Sequence, residues 1–101
     1  MKRLILLLSI LIASLNVFSQ GIEFRKERYA EVLKMAKEQN KLVFIDIYTS
    51  WCGPCKHMAD NIFPLPKVGE YYNSHFLNLQ LDAEKSEDGK MVAKSFGVSA
   101  Y

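Results

Sequence analysis

The two cysteines of this chain, Cys52 and Cys55, lie three positions apart, and the sequence contains no others. Just upstream is an apolar run, residues 42–45, of the kind found in buried strands. A C-x-x-C pair that follows a buried strand and opens a helix forms a reactive dithiol. Residues i and i+3 share one face of a helix, so the two sulfur atoms can approach to bonding distance. The pattern therefore favours reversible thiol–disulfide exchange.

The two cysteines are expected to differ in reactivity. Cys52 is predicted to lie at or just before the helix N-terminus, where unpaired N–H groups and the helix dipole favour a thiolate and lower the pKa of the thiol. Cys55, one turn further in, is predicted to be more buried and to keep its proton. Pro54 suits this first turn, where a missing N–H costs nothing. We therefore expect Cys52 to attack a substrate disulfide and Cys55 to resolve the mixed disulfide.

The segment from Ile45 to Lys56 resembles the active-site segment of the thioredoxin family. The family has a buried acid six positions before its first cysteine, and Asp46 lies six positions before Cys52. The tryptophan, the Gly-Pro dipeptide and the lysine around the cysteines also match.

A looser similarity, at Asp82 and in residues 91–98, extends this resemblance over residues 22–101. That part is similar to exported thioredoxin-like proteins of the thiol:disulfide interchange (DsbD C-terminal domain) type. The resemblance implies an α/β fold of the thioredoxin type, represented by its N-terminal two-thirds. In the family a cis proline follows the Gly-Val segment within a few residues, and a strand hairpin and a last helix come after it. Since the sequence stops at Tyr101, we expect a domain over residues 20–101 that is incomplete at its C-terminus.

The resemblance also implies a set of site residues. Asp46 interrupts an apolar strand, where burying a carboxylate without a partner is costly. In one interpretation it has a raised pKa and relays protons for Cys55. In the other it is a strand-end residue that reaches solvent or pairs with Lys56 or Lys41; the family's spacing favours the relay. Trp51 either caps the site or is an ordinary partly buried aromatic residue. The implied catalytic residues are Cys52, Cys55 and Asp46, and the implied substrate contacts are Trp51, Gly53 and Pro54.

Apolar periodicity and turn residues predict the elements that position the site. The helical spacing of apolar residues predicts a helix over residues 25–39. The continuous apolar run predicts that a strand over residues 41–48 is buried on both faces. Leucines that alternate with polar residues predict a second strand over residues 76–81. The remaining elements are a helix over 52–63, a short helix over 66–73, a polar turn over 84–89 and a last helix over 90–96. This order implies an α/β fold with a parallel strand pair.

Residues 1–19 have the pattern of a signal peptide. A basic start, Met1–Arg3, precedes an apolar stretch, Leu4–Val17, which is shorter than the roughly 20 residues that a membrane span needs. Residues 17–19 predict cleavage before Gln20, and the alternative is a retained N-terminal anchor. We therefore expect an exported, periplasmic protein with no stable membrane insertion after cleavage.

The charge balance gives no support for a nucleic-acid partner. The chain has 13 basic and 11 acidic residues, and cleavage removes two basic ones, Lys2 and Arg3. The mature domain is then formally neutral, so its net charge favours neither nucleic acid nor an acidic membrane as a partner.

Thiol–disulfide exchange is the function that these observations favour. Export places the cysteines in an oxidising compartment, where a structural disulfide is common. A bridge that closes so short a loop restricts the unfolded chain little, however, and stabilises the fold weakly. We therefore expect an exported oxidoreductase that acts on protein disulfides without a cofactor. The Gly-Pro dipeptide resembles that of reducing family members, and the resemblance suggests a membrane partner as electron donor.

The alternative is a non-catalytic metal-binding or interaction module on the same scaffold. His57 and His75 lack a recognisable zinc-site spacing, and no second C-x-x-C is present, so no metal ligand is assigned. Lys56 also occupies the position at which a c-type haem site needs a histidine.

Overall fold

The computed structural model describes residues 20–101, in which helices cover both faces of a two-stranded parallel sheet. Strand β1 (Leu42–Tyr48) pairs with strand β2 (Phe76–Asp82) along its whole length, from Leu42 opposite Phe76 to Tyr48 opposite Asp82. The sequence predicted both strands and their parallel pairing, and the structure confirms them. The predicted signal peptide, residues 1–19, lies outside the described residues.

In the described part of the chain, four α-helices connect and flank the strands. Ser86 begins the last one: its hydroxyl accepts a hydrogen bond from the N–H of Gly89 at 2.8 Å, and two acidic residues follow it in the first turn. The predicted polar turn over residues 84–89 is therefore wrong in its second half, which is helical. The helices are α1 (Tyr29–Gln39), α2 (Gly53–His57), α3 (Pro66–His75) and α4 (Glu87–Ser95), and a π-helical turn (Met58–Ile62) continues α2.

Helix α1 begins later than the predicted position 25. Residues just before it run in an extended conformation beside β2, where Phe24 forms a bridge to Asn78 and the N–H of Arg25 donates to the Asn78 carbonyl at 2.8 Å. Arg28 is also extended, so the helix starts at Tyr29. The contacts of Phe24 and Arg25 with β2 hold this segment in an extended conformation, so residues 25–28 are not helical as predicted.

One face of the sheet packs against α1 and α4 and forms the buried core. The three leucines of β2 point to this face, as their alternation predicted, and Val43, Ile45 and Ile47 of β1 pack beside them. The buried core residues are Val32 and Ala36 of α1, Leu77, Leu79 and Leu81 of β2, and Val92 of α4.

On the opposite face of the sheet, aromatic side chains contact α3 and Phe63, the residue that follows α2 and its π-helical turn. The Phe44 ring lies 6.3 Å from that of Phe63, which follows the π-helical turn, and 4.8 Å from that of Tyr72 on α3. Because side chains alternate along a strand, Asp46 lies on this same face as Phe44. The sheet therefore places Asp46 on the side of the helix that carries the cysteines.

Burial of β1 is only partial, which corrects the prediction that it is buried on both faces. Leu42 is 73% exposed, and none of the other six residues of this strand is fully buried. Within residues 20–101, β2 pairs with one edge of β1 and no strand pairs with the other. An apolar run alone predicts a central strand, but how completely it is buried depends on the neighbours that cover it.

The start of α1 is held by the start of α4. Asp88 accepts a hydrogen bond from the Tyr29 N–H at 2.8 Å and two from the Arg28 guanidinium at 2.8 Å each. These bonds, and the positive charge of Arg28, hold the pKa of Asp88 at about 2. Asp88 thus caps α1 from a distant part of the chain, because Arg28 itself makes no side-chain cap.

Candidate active site

Cys52 lies at the junction between the end of β1 and the start of α2. A turn carries the chain from the strand, and in it the Cys52 N–H donates to the Thr49 carbonyl at 3.3 Å. Cys52 has an extended backbone and is the N-cap of α2, with Pro54 in the first turn. This is the position that the sequence predicted for Cys52, and it follows from the rule that proline is tolerated where helix N–H groups lack partners.

The two cysteines form a disulfide across the first turn of α2. Their Cα atoms are 5.3 Å apart, and the N–H of Cys55 donates to the Sγ of Cys52 at 3.2 Å. The sulfur of Cys52 therefore occupies the acceptor position of a helix cap. When the disulfide is reduced, that N–H and the helix dipole favour the thiolate at Cys52.

Cys52 is more deeply buried than Cys55, which is the opposite of the prediction. Cys52 is 4% exposed, whereas Cys55 is only partly buried. Cys55 instead lines an open cavity of about 310 Å³. The cavity is lined by Tyr48, Thr49, Ser50, Cys55, Lys56, Ala59, Asp60 and Gln80.

Asp46 is linked to this cavity through Gln80. The two residues are directly opposite each other in the β1–β2 pair, and the Gln80 side-chain N–H donates to Asp46 Oδ2 at 3.2 Å. Burial raises the pKa of Asp46, and the bond from Gln80 opposes part of that rise. A carboxylate whose pKa is raised is a stronger base than an exposed one, and its partner Gln80 lines the cavity that Cys55 also lines.

The ion-pair interpretation of Asp46 is wrong. Lys56 pairs with Asp60 at 3.0 Å on the helix surface, and the ammonium group of Lys41 contacts the Asn73 carbonyl at 3.5 Å. The partner of Asp46 is the neutral amide of Gln80. Two interpretations remain, a strand-end residue that reaches solvent and a proton relay for Cys55, and both stay predictions.

Trp51 lies on the surface beside the buried sulfur of Cys52. Its side chain is 66% exposed, and its ring N–H donates to the Glu84 carboxylate at 2.7 Å. The Tyr101 ring packs edge-on against it at 6.2 Å. The interpretation of Trp51 as a partly buried aromatic residue is therefore wrong, and an exposed indole next to the dithiol fits a surface that contacts substrates.

The exposed surface continues over Gly53 and Pro54, both of which are solvent-exposed at the start of α2. Glu84, which holds Trp51, belongs to a turn that Asp82 organises. The carboxylate of Asp82 accepts hydrogen bonds from the N–H groups of Glu84 and Lys85, each at 2.9 Å.

The histidines lie apart from the dithiol chemistry. His57 is exposed and has Asn61 as its side-chain partner at 3.3 Å, and His75 stacks on Tyr71 at 4.1 Å between ring centres. Within residues 20–101, no group of three His, Cys, Asp or Glu side chains is arranged to hold a metal ion. In the same part of the chain, no helix has the length and apolar composition that crossing a membrane requires.

Three residues of this site were missed by sequence analysis: Thr49, Gln80 and Glu84. The hydroxyl of Thr49 is buried and Thr49 lines the same cavity as Cys55, Gln80 binds Asp46, and Glu84 binds Trp51. Gln80 could have been found from the register of the strand pair, since it stands opposite the acid. No local signal identifies the other two.

Comparison with known proteins gives a family match over most of the chain. A family model described as "Thioredox_DsbH: Protein of unknown function, DUF255" matches residues 18–96. The chain is 34% identical over 82 residues to chloroplastic thioredoxin F of Oryza sativa subsp. japonica, covering 81% of this chain and 40% of the relative. It is 38% identical over 68 residues to thioredoxin H4 of Arabidopsis thaliana, covering 67% of this chain and 52% of the relative.

Solved structures show the same similarity. A candidate disulphide-isomerase from Bacteroides thetaiotaomicron, known from a solution structure, superposes with a TM-score of 0.67 at 44% identity, over 84% of this chain and 69% of that one. A DsbH oxidoreductase superposes with a TM-score of 0.67 at 20% identity, over 80% of this chain and 62% of that one, and this likeness concerns the fold alone. The chain thus spans about half or less of the length of the two plant relatives.

Proposed function

Because this chain belongs to the DsbH-like thioredoxin family, we propose that it is a thiol–disulfide oxidoreductase that reduces protein disulfides. One observation carries the proposal: Cys52 and Cys55 form a disulfide across the first turn of α2, with an N–H directed at the sulfur of Cys52. Opening that disulfide produces a dithiol whose Cys52 thiolate is stabilised by the helix N-terminus. The similarity to thioredoxins and to a disulphide-isomerase supports the same chemistry.

The reaction transfers two electrons from the dithiol to the substrate. The Cys52 thiolate attacks one sulfur of a substrate disulfide, the substrate S–S bond breaks, and the other substrate sulfur leaves as a thiolate that takes up a proton. Cys55 then loses its proton and attacks the Sγ of Cys52. This step forms the Cys52–Cys55 bond and releases the second substrate sulfur as a thiolate.

Asp46 is the group that accepts the Cys55 proton in this proposal. It lies on the sheet face that carries the active-site helix, and its partner Gln80 lines the same cavity as Cys55. Because burial raises the pKa of Asp46, its carboxylate is a stronger base than an exposed one.

Substrate contact is assigned to the exposed surface around the buried sulfur. Trp51, Gly53 and Pro54 form this surface, and Glu84 holds the indole in place. A protein segment that carries a disulfide would lie across this surface.

The direction and location of the reaction are further parts of the proposal. The Gly53–Pro54 dipeptide supports a reducing role, and the pattern of residues 1–19 supports export to the periplasm. A reductase outside the cytoplasm needs a supply of electrons, for which we propose a membrane protein as donor.

Trapping of mixed disulfides tests the proposed chemistry. The chain should accelerate the reduction of insulin by dithiothreitol, and Cys52→Ser should abolish this acceleration. Cys55→Ser should accumulate mixed disulfides with protein substrates, because the resolving thiol is absent. Trapping by Cys52→Ser in its place would reverse the roles of the two cysteines, and no acceleration by the unaltered chain would contradict the function itself.

Export is tested separately. We expect intact mass spectrometry of periplasmic protein to find a chain that begins at Gln20. A chain that keeps residues 1–19 and sediments with membranes would contradict cleavage at this position.

A further inference from the structure

The hydroxyl of Thr49 has no hydrogen-bond partner within residues 20–101, although it is buried. Thr49 is 2% exposed, and its Oγ1 is one of two buried side-chain polar atoms in this part of the chain without a partner. Burying a hydroxyl without a hydrogen bond is unfavourable, and native proteins retain few such groups. An unpartnered hydroxyl at this place therefore requires an explanation.

The position of Thr49 supplies one. Thr49 follows β1 directly, its carbonyl accepts the N–H of Cys52, and Thr49 and Cys55 line the same cavity. In the disulfide form the sulfur of Cys55 is uncharged and is a weak acceptor. When the disulfide opens, the sulfur of Cys55 is no longer bonded to Cys52, and it accepts a hydrogen bond most strongly as the thiolate that forms when Cys55 loses its proton.

We propose that the Thr49 hydroxyl donates a hydrogen bond to the Sγ of Cys55 once the Cys52–Cys55 bond is broken, and so stabilises the reduced dithiol. The inference rests on the proposed function, because it concerns the resolving sulfur of that reaction. Two electrons from an external dithiol break the S–S bond, each sulfur keeps one electron pair, and the proton of the Thr49 hydroxyl is shared with Cys55 and not transferred.

The hydrogen bond would make Cys55 easier to deprotonate and therefore more effective in resolving the mixed disulfide. It would also raise the reduction potential, since only the reduced form gains it. Other groups around the cavity act on the same thiol: Tyr48 from β1, Lys56 from α2 and Asp60 from the π-helical turn line it, and Asp46 lies behind Gln80. A test must leave these groups unchanged.

Thr49→Val and Thr49→Ser form a matched pair for this test. Valine has nearly the shape of threonine without the hydroxyl, whereas serine keeps the hydroxyl. Equilibration of the purified chain with dithiothreitol measures the constant between disulfide and dithiol forms. We expect Thr49→Val to shift this constant toward the disulfide by about tenfold, which corresponds to about 30 mV at two electrons. Thr49→Ser should change it less than about threefold.

Thermal unfolding in each redox state gives an independent measure. Thr49→Val should leave the melting temperature of the disulfide form unchanged or raised, because an unpartnered buried hydroxyl is removed, and should lower that of the reduced form. A structural role for the hydroxyl, such as binding a permanent water molecule, would shift both forms equally, and that result would overturn the inference.

The thiol of Cys55 can also be titrated alone in a Cys52→Ser background. Adding Thr49→Val should raise the pKa of the Cys55 thiol, and adding Thr49→Ser should not. If both variants give the same thiol pKa, the inference is wrong.

None of these measurements requires turnover of a protein substrate. A chain that shows the redox-dependent effect of Thr49 but does not reduce insulin would therefore contradict the proposed function and not the hydrogen bond.

Discussion

Gln80 donates a hydrogen bond of 3.2 Å to the carboxylate of Asp46 across the parallel pair of β1 and β2, in which the two residues stand directly opposite each other. Within residues 20–101 the acid therefore has a neutral partner and no ion pair. A cation at this place would favour the charged carboxylate strongly, whereas an amide opposes the effect of burial only in part, so the pKa of Asp46 remains raised.

The raised pKa of Asp46 makes stability depend on pH in a defined direction. The folded state holds the proton more tightly than the unfolded chain, whose aspartate has a pKa of about 3.9. The stability linked to this group is fully present below that value and is lost as pH rises through the raised pKa. Asp46→Asn should remove this loss and stabilise the protein at neutral pH, as measured by urea unfolding between acidic and neutral pH.

The same substitution should slow the resolution of a mixed disulfide. If Asp46 takes the Cys55 proton, Asp46→Asn should lower the rate by about a hundredfold, at the low end of general-base effects. Stopped-flow measurement of resolution against pH would show this. An unchanged rate at every pH would indicate that Asp46 only occupies the strand and does not relay protons.

Gln80→Met should raise the pKa of Asp46 further, because it removes a hydrogen bond that favours the charged form. The pH midpoint of the resolution rate should then move upward. Gln39→Met, at an exposed glutamine of α1, is a matched control and should leave the midpoint in place. A downward shift with Gln80→Met would contradict the role of the amide.

Asp88 should stabilise the fold in a pH-dependent way. Folding lowers its pKa to about 2, mainly through the hydrogen bonds from Arg28, so its contribution is present above the ordinary aspartate pKa of about 3.9 and is lost as pH falls toward 2. Asp88→Ala should destabilise the protein by about 1 kcal/mol at neutral pH, the usual cost of losing a helix cap.

The neighbouring acid provides the control for Asp88. Glu87 is exposed, and its carboxylate is 3.6 Å from the Arg28 guanidinium. Exposed ion pairs contribute little, so Glu87→Gln should change the free energy of unfolding only slightly. If both variants lose the same free energy of unfolding, the negative charge at the start of α4 stabilises the fold and the cap of α1 by Asp88 does not.

The bond between Trp51 and Glu84 can be followed by fluorescence, since Trp51 is the only tryptophan in the chain. Glu84→Gln keeps an acceptor oxygen for the indole N–H, whereas Glu84→Met removes it. We expect only Glu84→Met to shift the emission of Trp51 and to slow mixed-disulfide formation, by a few-fold. Identical spectra for the two variants would mean that the carboxylate does not hold the ring.

The unpaired edge of β1 should make residues 20–101 prone to self-association. Within this part of the chain one edge of an apolar strand has no partner, and such edges promote aggregation. Leu42→Lys places a charge at an exposed position of this strand and should reduce association, measured by light scattering, without lowering the midpoint of urea unfolding. A purely monomeric unaltered chain would contradict this expectation.

The sequence by itself determined the dithiol, its position between a strand and a helix, and the alternation of β2. Each of these depends on residues close together in the chain: the spacing of Cys52 and Cys55, the proline in the first turn, and the leucines at every second position. Local geometry converts such spacings directly into neighbouring side chains, because a helix and a strand have fixed periods. The same locality explains why the strands were predicted nearly to their observed bounds.

Only the tertiary structure decided what surrounds these residues. It buried Cys52 more deeply than Cys55, gave Asp46 a partner from β2, and brought Glu84 to Trp51 and Asp88 to the start of α1. The contacts of Asp46, Trp51 and the start of α1 each join two residues that are separated by 33 to 59 positions in the sequence. No local pattern encodes such a pairing, since it depends on the register of the sheet and on which helix covers each of its faces. Burial and pKa follow from those neighbours, and so they are properties of the fold and not of any short stretch of sequence.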